Sequence, residues 1–247
     1  MPFAPWRRPR FTASDGQTVV EFVVYAPRPL PLTFDLEAEG SPVAELPLGI
    51  AVQLFERRLA AEFSDWADSL SADGECPAGL EEAACWYVVG GTMAGAPDLV
   101  ALQAAWAAVR VLCRAGGLAV WDSLAVRWQS PEAVLATNPA LPALAAAWAV
   151  ECSAVDHDEL VAVHTLGLAK FARRDLVAFA PPAGAEALRG LIGHLALDLI
   201  EGVVFAPGDR ITAGGAQLEI ADYLPGKNGP ETAIPFFASP LLVLLRG

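Results

Sequence analysis

Apolar positions recur along this chain with two different periods, and segments of the two kinds intermingle from end to end. Residues Gln17–Tyr25 are rich in β-branched and aromatic side chains and follow an Asp15-Gly16 turn, which predicts a strand. Pro27, Pro29 and Pro31 then rule out a central strand or a helix, because each lacks the N–H that either ladder needs. From Leu48 to Leu70 the spacing becomes helical. Phe55, Leu59, Phe63, Trp66 and Leu70 make one apolar stripe, with Glu56, Arg57, Glu62, Asp65 and Asp68 largely outside it, so an amphipathic helix is predicted. Ser71–Gly79 reads as a polar loop. Cys85–Gly90 reads as a short apolar strand and Gly90–Gly95 as a glycine-rich loop. Pro97 then opens a helix to about Ala115, ended by Gly116-Gly117. That helix is apolar nearly all round, with a polar stripe of Gln103, Arg110 and Arg114, so burial on most sides is expected.

Leu118–Asp122 predicts the next strand. Ser130-Pro131-Glu132 is a helix start, with a capping hydroxyl, a first-turn proline and an acid near the positive dipole end. Asp156-His157-Asp158 reads as a turn entering the strand Leu160–Thr165, and Asp175–Ala180 as a further strand closed by Pro181-Pro182. Ala185–Glu201 reads as a helix with Leu188, Leu191, Ile192, Leu195 and Leu199 on its apolar face. Gly214-Gly215 makes a hairpin that returns along Gln217–Tyr223, and Pro240–Leu245 is a short, buried terminal strand. Residues Met1–Arg10, with three prolines and three arginines, predict an extended arm. Helices and strands intermingled with hairpin-like connections favour an α+β fold, a mixed, largely antiparallel β-sheet packed against helices. The chain is read as one compact domain, 1–247. Both halves run strand, helix, strand, so a subdivision near 150 into 11–150 and 151–247 is the alternative, although no sequence repeat is evident.

Composition narrows the class. Of the 247 residues 54% are hydrophobic, which is ample apolar surface to offset chain entropy, so disorder is not expected. A membrane span needs roughly 18 consecutive apolar residues. Ala133–Val150 lacks charges but holds Asn138, Pro139 and Pro142, and reads as two short buried helices. No secretory signal is visible, since Arg7 and Arg8 have no apolar core behind them. Cys76, Cys85, Cys113 and Cys152 form no Cys-x-x-Cys pair. Cys113 and Cys152 lie in apolar stretches read as helical and are expected to be buried thiols, and a reduced, cytoplasmic compartment fits best. The net charge of −13 repels phosphate backbones and anionic membranes, so neither nucleic acid nor membrane is expected as a partner, whereas a basic protein is compatible. The same charge keeps an apolar chain soluble. No pattern specifies an oligomeric state.

No catalytic set emerges. Gly-x-Ser-x-Gly is absent, the histidines are His157, His164 and His194, and Cys152 sits near His157 only in sequence and in an apolar context. Asp156-His157-Asp158 and His194 with Asp198 are the densest ligand-type groups, but neither has the spacing of a metal site; a turn and a solvated i,i+4 pair account for them. No metal and no cofactor are therefore expected. The small-molecule candidate is the Gly90–Gly95 segment, with Gly90, Gly91 and Gly95, because the free N–H groups of a following helix can hold an anion. It lacks the Gly-Lys-Ser/Thr ending and the Gly-x-Gly-x-x-Gly spacing, and a tight strand-to-helix turn is the competing reading. Trp66, Trp86, Trp106, Trp121, Trp128 and Trp148 read as core and rim.

Polar groups crowd into Val161–Phe179, between two apolar strands. Within it Thr165, Gly167, Leu168, Phe171, Asp175 and Leu176 fit a spaced pattern that resembles the signature of a bacterial family, domain of unknown function 4261. Ala172 stands where that pattern usually has glycine, and Arg174 where it has proline. The layout of roughly the C-terminal two-thirds is similar. The resemblance implies an α+β domain of bacterial origin and no established activity. Physically, Gly167 permits a bend or positive φ where the strand leaves the sheet, and Phe171 plugs the core beneath the crossing. Asp175 accepts hydrogen bonds from the turn or pairs with Arg173. His164 shares a strand face with Leu160 and Ala162, while Val161, Val163 and Thr165 share the other. Two functions are compatible with all this. One is a non-enzymatic interaction protein with an acidic surface, of the immunity or antitoxin kind that masks a basic toxin. The other is an enzyme or small-ligand binder that uses the Gly90–Gly95 segment with His164.

Overall fold

The strand expected after the Asp15-Gly16 turn forms as β1 (Gln17–Ala26) and becomes the centre of an antiparallel sheet in the computed structural model, which describes residues 3–31, 33–56, 80–137, 151–157, 159–230 and 238–246. On one side β1 pairs along its whole length with β3 (Cys85–Ala94), which in turn pairs with β2 (Ile50–Glu56). On the other it pairs with β4 (Ala119–Asp122), and β4 with β5 (Arg127–Gln129). Helix α1 (Val100–Arg114) covers one face and sets Trp106 against Phe22, ring centroids 5.4 Å apart. Gln103 and Arg110 of its polar stripe are inside too, while Arg114 is exposed. Gln103 accepts from the Trp6 N–H and donates to the Gly40 carbonyl, while Arg110 bonds Glu39 at 3.1 Å and the last carbonyls of α2 (Pro131–Ala136). Ser130 caps α2 as the sequence predicts, accepting from the Ala133 N–H at 3.1 Å.

The second sheet has six strands: β6 (Glu151–His157), β7 (Leu160–Leu166), β8 (Leu176–Ala180), β9 (Arg210–Ala213), β10 (Ala216–Asp222) and β11 (Leu241–Arg246). Their order is β6-β7-β8-β11-β10-β9. The last strand in sequence thus enters the middle of the sheet, parallel to β8 and antiparallel to β10; the other pairings are antiparallel. Helix α3 (Ala185–Glu201) packs over this sheet with Leu188, Ile192, Leu195 and Leu199 buried. The architecture is α+β, with two largely antiparallel sheets. One continuous apolar cluster joins them, from Phe22, Val24 and Val89 of the first to Val163 and Val243 of the second, with Phe171 and, from α3, Ile192 in the same cluster.

Several sequence expectations change. The helix expected from Leu48 begins instead as the strand β2, and 57–79 lie outside the described residues, with Trp66, Cys76 and the rest of that stripe. Ile50, Val52 and Leu54 also alternate with period two, and a short apolar run carries both readings until a partner strand selects one. The Gly90–Gly95 loop is strand as far as Ala94. Gly90 and Gly91 are paired with β1 on one side and β2 on the other, and a Cβ on Gly91 would lie 1.6 Å from the Gly49 carbonyl oxygen. Their role in the backbone is close strand approach, not a turn into a helix. Cys152 lies in strand β6 rather than a helix and is half-buried, whereas Cys113 is buried in α1. Asp156 and His157 end β6 instead of forming a turn, and Asp158 and Asn138–Val150 fall outside the described residues. Among the described residues no helix is long and apolar enough to cross a membrane.

Candidate functional site

The crossing from β7 to β8 holds the two sheets together, and its geometry follows from a few residues. Gly167 ends β7 at φ 105°, which turns the chain into a short helical turn, Leu168–Phe171. Asp175 closes the loop. Its carboxylate accepts from the Thr165 hydroxyl at 3.1 Å and from the Leu168 N–H at 3.1 Å, and its backbone carbonyl accepts from Leu241 of β11 at 2.8 Å. Thr165 also accepts from the Leu176 N–H at 2.9 Å, so one hydroxyl ties the end of β7 to the start of β8. Phe171 is fully buried under the crossing. Burial pushes the Asp175 carboxyl up to about 7, against the opposing effect of its hydrogen bonds and the Lys170 charge.

Lys170 extends from this turn into the other sheet. It is fully buried, pairs with Asp122 of β4, and lies 5.3 Å from the centroid of the Phe22 ring on β1. Asp122 also accepts from the Leu124 and Ala125 N–H groups. Burial raises the Asp122 carboxyl and lowers the Lys170 ammonium, and each charge opposes the shift of the other. Removing one partner of such a pair costs about 3–5 kcal/mol, because the other is left charged in the interior.

The arginines do a different job. Arg173 spends all five N–H donors on the carbonyls of Val203, Ala172, Thr12 and Gly202 and on the Ser14 hydroxyl. Arg8 spends its own on the carbonyls of Ile200, Leu199 and Ala96. Four of these eight oxygens, those of Leu199, Ile200, Gly202 and Val203, lie at or just past the C-terminal end of α3, where backbone carbonyls lack helical partners and the dipole is negative, so two cations are stabilised there without a carboxylate. Burial, with Arg173 nearby, pulls Arg8 down to about 10. The expected N-terminal arm is therefore a strap. It runs from α1, where Leu99 N–H meets the Trp6 carbonyl, to α3, where Arg10 N–H meets the Glu201 carbonyl.

Beside this junction opens a cleft of about 410 Å³. Val19, Leu199, Phe205 and Leu241 give it an apolar floor, and Asp15, Gln17, Thr92 and Arg174 stand around it. Gly16 borders it, and both Gly16 and Gly95 are held against Ala172 of its lining where nothing larger fits. A Cβ on Gly95 would lie 2.8 Å from the Ala172 Cβ, and one on Gly16 would lie 2.6 Å from the Ala172 carbonyl oxygen. A larger groove of about 600 Å³ lies between α3 and the β9–β10 hairpin. Its lining is apolar apart from His194 and short polar backbone.

The residues singled out in the sequence separate into two sets. Thr165, Gly167, Phe171 and Asp175 converge on the crossing, and Gly95 meets it from the other sheet. Gly90 and Gly91 are taken up in the first sheet. His164 is buried on β7, its imidazole pulled down to about 4 by burial. Asp175 takes its hydrogen bonds from the turn, while Arg173 bonds backbone carbonyls. His194 and Asp198 are not used together, since Asp198 pairs with Arg10 of the strap. Among the described residues no three metal-ligand side chains cluster. Sequence reasoning missed Lys170, Asp122, Arg8 and the cleft residues Asp15, Gln17, Thr92 and Arg174. A lysine inside the apolar run Leu166–Phe171 was the one local signal available. No protein-family model, curated protein or solved structure matches the chain.

Proposed function

We propose that this chain is a non-enzymatic interaction protein whose acidic exterior binds a basic protein partner. The observation that carries the reading is where the charges go. Among the described residues Arg8, Arg110, Lys170 and Arg173 are buried, against Glu39, Asp122 and Asp175. Among these residues the buried cations outnumber the buried carboxylates, which supports an exterior that keeps the acidity of the sequence, net −13. The titratable groups that crowd the crossing are engaged with one another or with backbone, which suits a load-carrying interior better than a reaction. Such a surface accelerates encounter with a basic partner through long-range attraction, and salt weakens it. A protein of the immunity or antitoxin kind, masking a basic toxin, is one form this function takes.

The test uses immobilised protein and bacterial extract. Basic proteins should be retained at about 50 mM salt and released by about 300 mM. They should also be lost from a variant in which the exposed Glu37, Glu45, Glu81 and Glu82 are replaced by Gln. Retention that ignores both salt and neutralisation would overturn the reading.

A further inference from the structure

The cleft at the junction of the two sheets has a chemistry of its own, and we infer that it binds a small zwitterion of the amino-acid class with an apolar side chain. Its volume of about 410 Å³ falls in the range of small-ligand pockets. Its charged groups come from opposite sheets: Asp15 from the turn into β1, and Arg174 from the lead into β8. The Asp15 side chain makes no hydrogen bond or ion pair among the described residues, and neither do those of Gln17 and Thr92. Arg174 donates to the Ser239 carbonyl, to Asp222 and to the Pro240 carbonyl, one bond from each nitrogen. A guanidinium has five N–H groups, so two remain for a ligand. Arg173 behind it has no donor left, but its charge is met by carbonyls alone, so it adds positive potential at that end.

These groups sort a ligand by its ends. An anionic group is favoured at Arg174, which keeps two N–H groups beyond its bonds to Ser239, Asp222 and Pro240, with Arg173 also lining the cleft. An ammonium is favoured at Asp15, with the Gln17 and Thr92 side chains as further hydrogen-bonding groups. The body between them lies on Val19, Leu199, Phe205 and Leu241. A ligand without an ammonium leaves Asp15 without a counterpart, and one without a carboxylate leaves the two remaining Arg174 N–H groups unused, although Asp222 still meets the Arg174 charge. The site is independent of any protein partner, so its failure and that of the interaction reading are separate results.

Titration calorimetry on the full chain tests this with L-leucine and L-phenylalanine as probes. Phenethylamine, which lacks the carboxylate, and hydrocinnamate, which lacks the amine, serve as one-ended analogues. We expect saturable binding of at least one amino acid and about tenfold weaker binding of either analogue, the loss typical of one charged hydrogen bond. Asp15→Asn should weaken the amino acid about tenfold and leave hydrocinnamate within about twofold. Arg174→Gln should do the converse with phenethylamine. Arg174 also ties β8 to β11, so Asp15→Asn, at an exposed turn, decides the matter if Arg174→Gln fails to fold. Absence of binding by both amino acids, analogues that bind equally well, or an Asp15→Asn variant of unchanged affinity would each overturn the inference.

Discussion

Ala172 is the residue at which the local chain and the tertiary contacts disagree most. It sits at φ 55°, ψ 40°, a left-handed conformation that costs a side chain with a Cβ about 1 kcal/mol. The backbone at this position thus favours glycine. Gly95 and Gly16 are small because this alanine stands against them. Gly95→Ala should therefore destabilise the protein by about 1–3 kcal/mol through overpacking. Ala172→Gly alone should be neutral or stabilising by up to about 1 kcal/mol. The double variant should recover most of the loss, since the Cβ that clashes is gone; urea unfolding of the three chains measures it. Additive losses would show that Gly95 is held by something other than Ala172. Lys170 teaches the same lesson from the opposite side. Its nearest neighbours in sequence are apolar, and its ion pair with Asp122, 48 residues away, explains why it is tolerated there.

Elements with strong local signals were legible. Helix α3 forms over the predicted span, Ala185–Glu201, and Gly214-Gly215 turns β9 into β10 as expected. A leucine stripe and a two-residue glycine turn act within a few residues, so no distant partner is needed to select them. The failures lie where local information supports two structures. Ile50–Glu56 has both periods, and glycines 90 and 91 read as a loop until a strand on each side requires close approach. Helix α3 also carries a testable excess of flexibility. A Cβ on Gly193 would meet nothing within 4 Å. Gly193→Ala should raise stability by about 0.5–1 kcal/mol through helix propensity and reduced freedom of the unfolded chain. Thermal melts would register this as a rise of a few degrees, and a fall would mean that the glycine is needed for packing.

At the scale of the whole molecule, two buried titratable groups give opposite pH dependences. His164 is held at about 4, below its ordinary 6.5, so the unfolded chain takes up the proton first and stability is lost as pH falls from 6.5 to about 4. Asp175 is held at about 7, above its ordinary 3.8, so the folded chain takes up the proton first and stability is gained as pH falls from about 7 to 3.8. Each contribution is on the order of 3 kcal/mol, so as far as these two groups go the slopes largely cancel. A His164→Asn variant should become more stable as pH is lowered from 7 to about 4.5, and an Asp175→Asn variant less stable below 6.5. Urea titrations across that window decide it, and variants whose profiles run parallel to the parent protein would refute it. The sequence by itself determined the α+β class, the net charge and most of the helices and hairpins, because periodicity, turn chemistry and composition are local or additive properties. Only the tertiary structure decided that β11 enters between β8 and β10, that the N-terminal arm is a strap on two helix ends, and that Lys170 meets Asp122. It also decided where a cleft lined by both Asp15 and Arg174 would open. Each of these joins residues far apart in the chain, and a buried charge or an open surface is selected by the free energy of the assembled core, to which no short window of sequence has access.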